Sequence, residues 1–235
     1  GIVGIFLIKE PELQPRREPY LKNLVYGLRP DVARENPALY LSFAAFCVFS
    51  VAVQVFFPYL IIYIQNYLKI DGYAVVLGAV LITASAVSVA FGKVIDRVGK
   101  LRFVLPAAGV MLAGLVGMFF VRGMLGVIAA GCVMMSGYML VTAALSGVIR
   151  DNTPRGKVGH FQGIRMIFGV LLPMIIGPAT GAAVIRGSDS TYVELGVVKT
   201  VPTPGIFLAA AAVLALIVPF VAALKKRGGK EADAR

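Results

Sequence analysis

The sequence predicts an all-α integral membrane protein built as a bundle of six transmembrane helices. Three observations carry that reading. Of the 235 residues, 58% are hydrophobic and only 15% are charged, whereas soluble domains average roughly 45–50% apolar and about 25% charged. The apolar residues gather into six runs, each long enough to cross a hydrocarbon core of roughly 30 Å as a helix. The basic residues crowd into every second connection between those runs, as they do when alternate loops face the cytoplasm.

Taken in order, Gly1 to Ile8 is apolar but too short to span, and no basic region precedes it as in a signal peptide. Residues 1–8 read as the end of a truncated preceding helix, and the chain as part of a longer protein. Residues 9–36 form a polar connector. Within it Tyr20, Leu21, Leu24, Val25 and Leu28 recur at helical spacing, with Lys22, Asn23 and Arg29 on other faces. That pattern predicts a short amphipathic helix, ended by Pro30, lying on the membrane surface or packing as a linker on the helix ends.

Residues 37–224 form the six-helix transmembrane bundle. The spans run from about Ala38 to Ile64, Tyr73 to Gly92, Phe103 to Val121, Met124 to Ile149, about Met166 to Ile185, and Gly205 to Leu224. Pro58 in the first, and Pro173 and Pro178 in the fifth, are expected to bend their helices. Between the last two spans, Tyr192, Val193, Val197 and Val198 flank Gly196 and suit a small hairpin. Residues 225–235 are a basic tail.

One side of the membrane then carries the connector with six Lys/Arg, the Gly92–Arg102 turn with four, Arg150 to Arg165 with four, and the tail with five. The other side holds only Lys69, Arg122, Arg186 and Lys199. A missed span would scramble this alternation. It predicts that both ends of the chain are cytoplasmic.

Several classes are disfavoured. The net charge of +11 belongs to loops between spans, so nucleic acid is not an expected partner. Cys47 and Cys132 lie inside apolar runs and read as small core residues. His160 is the lone histidine, with no metal-ligand spacing around it, and no cofactor is implied. No span interior holds Asp, Glu, His, Lys or Arg, so catalysis is not expected. Paired Asn-Pro-Ala turns, an Arg-rich helix and a threefold acidic-basic Pro motif are all absent, unlike water channels, voltage sensors and mitochondrial carriers.

The turn between the second and third spans reads Gly92-x-x-x-Asp96-Arg97-x-Gly99-Lys100. This resembles the signature loop of the major facilitator superfamily, which joins helices 2 and 3 and recurs between helices 8 and 9. Leu101 departs from it, since the family usually has a second basic residue there. The segment Arg150 to Arg165 is similar to the family's helix 10–11 loop, through Arg150, Asp151, Thr153, Pro154, Gly156, Gly159, Gln162, Gly163 and Arg165. It looks closest to the sugar–cation symporter branch and related bacterial permeases.

The resemblance implies that the six spans are the family's helices 7 to 12, one half of its fold. The connector would be the central linker. The partners implied are the lipid bilayer, a small-molecule solute, a coupling cation, and the N-terminal six-helix half or a second copy of this one. The bacterial inner membrane is the implied location. Gly92, Asp96, Arg97, Gly99, Lys100, Arg150, Asp151 and Arg165 would form a conformational switch, with Asp96 pairing a loop base such as Arg97 or capping a helix.

In the family, helices 7 and 10 line the central cavity. Gln54 lies mid-span on a stripe with Cys47, Ser50 and Pro58. Tyr138 lies mid-span with Thr142 and Ser146 below it. Gln54, Tyr138 and Thr142, with Tyr59 and Tyr63 nearer the outside, are the candidate solute contacts. Helix–helix hydrogen bonding is the competing reading for each, and an aromatic belt or gate for the two outer tyrosines. Such groups suit a neutral, hydroxylated, sugar-like solute. Drug or metabolite efflux, and a non-transporting six-helix scaffold, remain alternatives. The fifth span's Gly169, Pro173, Gly177, Pro178 and Gly181 resemble an antiporter Gly-Pro motif but also suit close helix packing. With Ser85, Ser88 and Gly92 of the second span, they are expected to present small-residue faces to a partner.

Overall fold

A computed structural model describes residues 29–154, 158–188, 190–194 and 196–233. The predicted stub at residues 1–8 and the amphipathic helix around Tyr20–Leu28 lie outside these residues. Six helices are long and apolar enough to cross a membrane, as the composition requires.

The first described helix, α1, is Pro30–Glu35, with Pro30 in its first turn. The end of the amphipathic helix expected before Pro30 lies outside the described residues, and Pro30 itself begins the helix that follows. Proline lacks the N–H that an interior turn needs, but a first turn has no intrahelical partner for that N–H, so proline can equally begin a helix.

The first span, α2, covers Pro37–Tyr67. It is regular over Pro37–Phe56, tightens to a 3-10 turn at Phe57–Tyr59, and ends in a π turn at Tyr63–Tyr67. Pro58 sits in the tightened turn, where its missing N–H releases the carbonyl of Gln54. The second span, α3, is Tyr73–Val98, and the third, α4, is Lys100–Phe120. The Gly92–Arg102 segment is thus almost wholly helical, and Gly99 alone makes the turn. Its φ of 95° lies in the left-handed region that glycine enters without a Cβ penalty.

The fourth span, α5, is Met124–Asn152, and the fifth, α6, is Val158–Ile185. Both continue past the apolar boundary read from the sequence. A π turn at Ile167–Leu171 interrupts α6 just before Pro173. β1 (Thr191–Glu194) and β2 (Val197–Thr200) form an antiparallel hairpin, as the valines around Gly196 foretold. The sixth span consists of α7 (Gly205–Ala215) and α8 (Ile217–Asp233). They join at Leu216, whose N–H bonds the Val213 carbonyl. Pro219, absent from the expected bends, supplies no N–H to the Ala215 carbonyl and accounts for the break.

Helix packing rests on small residues, because lipid tails give apolar helices little reason to associate. Antiparallel α4 and α5 meet through two reciprocal notches. Gly114 faces the backbone of Met134, and Gly137 faces the backbone of Met111, each closely enough that a Cβ would collide. Gly131 of α5 receives Val80 of α3. The main core joins α2 to α5 and the sixth span through Phe49, Phe56, Tyr63, Met111, Leu115, Leu145 and Phe207. A smaller cluster at the basic end gathers Val32, Leu39, Phe43, Ile149, Phe161 and Ile164.

The glycine face of α6 is not turned outward. Gly169 meets Phe46, Gly177 meets the backbone of Gln54, and Gly181 meets Val55 and the Tyr59 ring. The partner expected for this face is thus α2 of the same bundle. On α3 the outcome differs: Ser85 is exposed and Gly92 has nothing against it. In the apolar windows of α3 and α6 only 17% is buried, against 39–44% in the other four spans.

Candidate functional site

The basic end of the bundle holds an open cavity of about 550 Å³, within the range of small-ligand pockets. Its charged walls are Asp96 of α3, Lys100 of α4, Arg150 of α5 and Arg165 of α6, with Gly92 on α3. Phe43, Ile149 and Phe161 of the smaller core cluster form its apolar side. Five of the eight predicted switch residues therefore line one space. Asp151 joins them through Lys100, and Gly99 supplies the turn.

Each side chain is placed by its local sequence. The one-residue turn at Gly99 sets Lys100 at the start of α4. Gly147 of α5 has no side chain where Lys100 passes, and a Cβ there would strike its Cδ. Lys100 thus reaches Asp151, with Nζ donating to Oδ1 at 2.9 Å and Oδ2 at 2.6 Å. The Arg150 Nε lies 4.0 Å from the same carboxylate. Asn152 Nδ2 donates to Ser42 Oγ at 3.0 Å, and Ser42 donates to the Ala38 carbonyl at 2.7 Å. These contacts join the end of α5 to the starts of α4 and α2. Arg165 Nη2 lies 3.5 Å from Ser146 Oγ, at the limit of a hydrogen bond.

Asp96 and Arg97 are both exposed and do not pair with each other among the described residues. The carboxylate held by a base of this turn is Asp151, not Asp96. Spacing alone could not reveal this, because Lys100 and Asp151 are 51 positions apart.

The mid-span candidates are more dispersed. The Cβ and backbone of Gln54 fit into the Gly177 notch. The Tyr138 ring stacks on Phe49 with centroids 5.7 Å apart, and Thr142 donates to the Tyr138 carbonyl at 2.8 Å. Neither Gln54 nor Tyr138 lines the basic-end cavity. The stripe Tyr138–Thr142–Ser146 does descend to it, since Ser146 forms part of its wall.

At the opposite end, Tyr59 donates to the Pro178 carbonyl at 2.9 Å, linking the bends of α2 and α6. Tyr63 is fully buried, stacked on Tyr67 and edge-on to Phe207. The Tyr63 hydroxyl makes no hydrogen bond of acceptable geometry. The Arg122 Nη1 donates to the Phe119 and Val121 carbonyls. The Arg122 guanidinium lies over the Tyr67 ring at 5.8 Å.

Six apolar helices, close-packed by glycines and opening at one end into a charged cavity, define a polytopic helical membrane protein. The chain matches the model of the Major Facilitator Superfamily over residues 1–178 and belongs to that superfamily of membrane transporters. No curated protein matches it.

Proposed function

We propose that this chain is the C-terminal six-helix half of a secondary transporter that moves a small, sugar-like solute with a coupling cation by alternating access. In this reading the basic end faces the cytoplasm of a bacterial cell, and both ends of the chain lie on that side. The carrying observation is the Lys100–Asp151 ion pair beside the cavity, which ties the signature turn to the end of α5. Alternating access needs contacts that hold one conformer and release in the other. An exposed ion pair contributes about 0.2–1 kcal/mol, a useful size for a contact that must break on every cycle.

Alternating access also needs a second bundle. The largely uncovered faces of α3 and α6 support one, supplied by the N-terminal half or by a second copy. Tyr138 and Thr142 serve as solute contacts in this reading, above the cavity on the same stripe. Gln54 and Tyr59 contribute chiefly to the α2–α6 contact.

The test is uptake of a panel of radiolabelled mono- and disaccharides by cells expressing the full-length protein. Accumulation of one of them, abolished by collapsing the cation gradient, is the expected result. No accumulation, with the protein verified in the membrane, refutes the sugar-symport reading. Residues 1–235 alone in liposomes should show no saturable uptake. Uptake there would assign the second bundle to another copy.

A further inference from the structure

We propose that the basic-end cavity is a binding site for a small phosphate-type oxyanion, with Arg165 as its principal ligand. This goes beyond the transport reading and does not rest on it.

The first observation is the imbalance of charge around the space. Among the described residues, Lys100, Arg150 and Arg165 line it, with Asp96 as the one carboxylate on its wall. Lys100 is already held by Asp151. Arg150 is only loosely associated with that carboxylate, at 4.0 Å. Arg165 has no carboxylate partner among the described residues, and its contact with Ser146 is a long one.

The second observation is that Arg165 is half-buried beside the apolar wall of Phe43, Ile149 and Phe161. Apolar surroundings lower the local dielectric, so a guanidinium there is poorly screened and attracts an anion more strongly than a surface arginine does. Its fork of donors fits two oxygens of a phosphate. Ser146 and Gln162 stand beside it as further hydrogen-bonding groups. Asp96 limits the charge the site accepts, favouring a monoanion or dianion over a polyphosphate.

The phosphate could arrive as a soluble ion or on a lipid headgroup. Both present the same oxygens, and the experiment separates them. The full chain, purified in detergent at low ionic strength, is titrated with radiolabelled inorganic phosphate by equilibrium dialysis. Saturable binding near one ion per chain is expected. A charge-assisted hydrogen bond of about 1.5–3 kcal/mol makes Arg165→Gln weaker by roughly ten- to a hundredfold. Arg165→Lys should recover part of the loss, and Asp96→Asn should bind more tightly. Lys226→Gln, in the separate opening near Asn36, should bind like the parent. Circular dichroism confirms that each variant is folded.

In nanodiscs of phosphatidylcholine, added phosphatidylglycerol should leave phosphate binding unchanged if the natural ligand is soluble. It should displace the phosphate, with Arg165→Gln no longer responding, if the ligand is a lipid. The parent failing to bind phosphate at millimolar concentration overturns the proposal. So does a folded Arg165→Gln variant that binds as well as the parent.

Discussion

Gly177 of α6 lies directly against the backbone of Gln54 in α2, so close that a Cβ at position 177 would overlap the Gln54 Cβ, Cα and carbonyl carbon. This contact sets the distance between two bent helices. A side chain at 177 cannot be accommodated by rotating a flexible neighbour, because backbone is what it meets. Gly177→Val should therefore destabilise the bundle by about 1–3 kcal/mol or more. Gly78→Ala, in open space on α3, should stabilise by about 0.5–1 kcal/mol through helix propensity. Thermal unfolding followed by circular dichroism in one detergent compares them. Equal melting temperatures for Gly177→Val and the parent would disprove the close approach.

Two tyrosines on α2 should respond oppositely to loss of the hydroxyl. Tyr59→Phe removes the bond to the Pro178 carbonyl and should cost about 0.5–1.5 kcal/mol. Tyr63→Phe removes a buried hydroxyl that makes no hydrogen bond, so stability should hold or rise. The same unfolding measurement decides. A larger loss for Tyr63→Phe than for Tyr59→Phe would contradict both assignments.

The Lys100–Asp151 pair is expected to govern exchange and not affinity. In the transport-competent protein, Asp151→Asn should change the rate of solute exchange while equilibrium binding stays within about fivefold, because the pair contributes only about 0.2–1 kcal/mol. Reversing both charges, Lys100→Asp with Asp151→Lys, should restore part of the parental rate. If binding collapses in Asp151→Asn while exchange per bound solute is unchanged, the pair belongs to the solute site instead.

Orientation is testable with single cysteines in a background of Cys47→Ala and Cys132→Ala. Gly99 is a poor reporter site, because φ of 95° strains any other residue. Lys93→Cys and Lys226→Cys serve better, with Val197→Cys on the hairpin as their opposite. In intact cells an impermeant maleimide should reach only Val197→Cys. Labelling of either lysine position from outside would reverse the proposed topology.

The number of spans was legible because hydrophobic runs and basic connections are independent signals that must agree. The hairpin was legible from its valines and Gly196, and the signature turn from Gly99. Helix ends were not, because hydropathy marks where lipid stops and not where backbone hydrogen bonding stops. Gly92–Val98, Arg150–Asn152 and Val158–Arg165 are polar or mixed in character, and they remain helical. Partner choice was also hidden. That Lys100 finds Asp151 depends on the missing side chain of Gly147, and that the α6 glycines face α2 is a tertiary contact between spans far apart in the chain. The π turns at Tyr63–Tyr67 and Ile167–Leu171 add a residue to a turn and shift the helical phase.

The link between Tyr59 and Pro178 joins residues 119 positions apart, whereas α3 and α4 both pack chiefly on α5, which follows them closely in the chain. During synthesis the middle three helices have all their mutual partners as soon as α5 emerges. The first helix does not. Its surface around Gln54 and Tyr59 stays without its matching helix until more than a hundred further residues have been made. Closing that long loop carries an entropy cost that local packing does not. Maturation of the bundle therefore turns on a late event, the arrival of the fifth span against the first. A variant such as Gly177→Val would act mainly there, leaving inserted helices that fail to assemble.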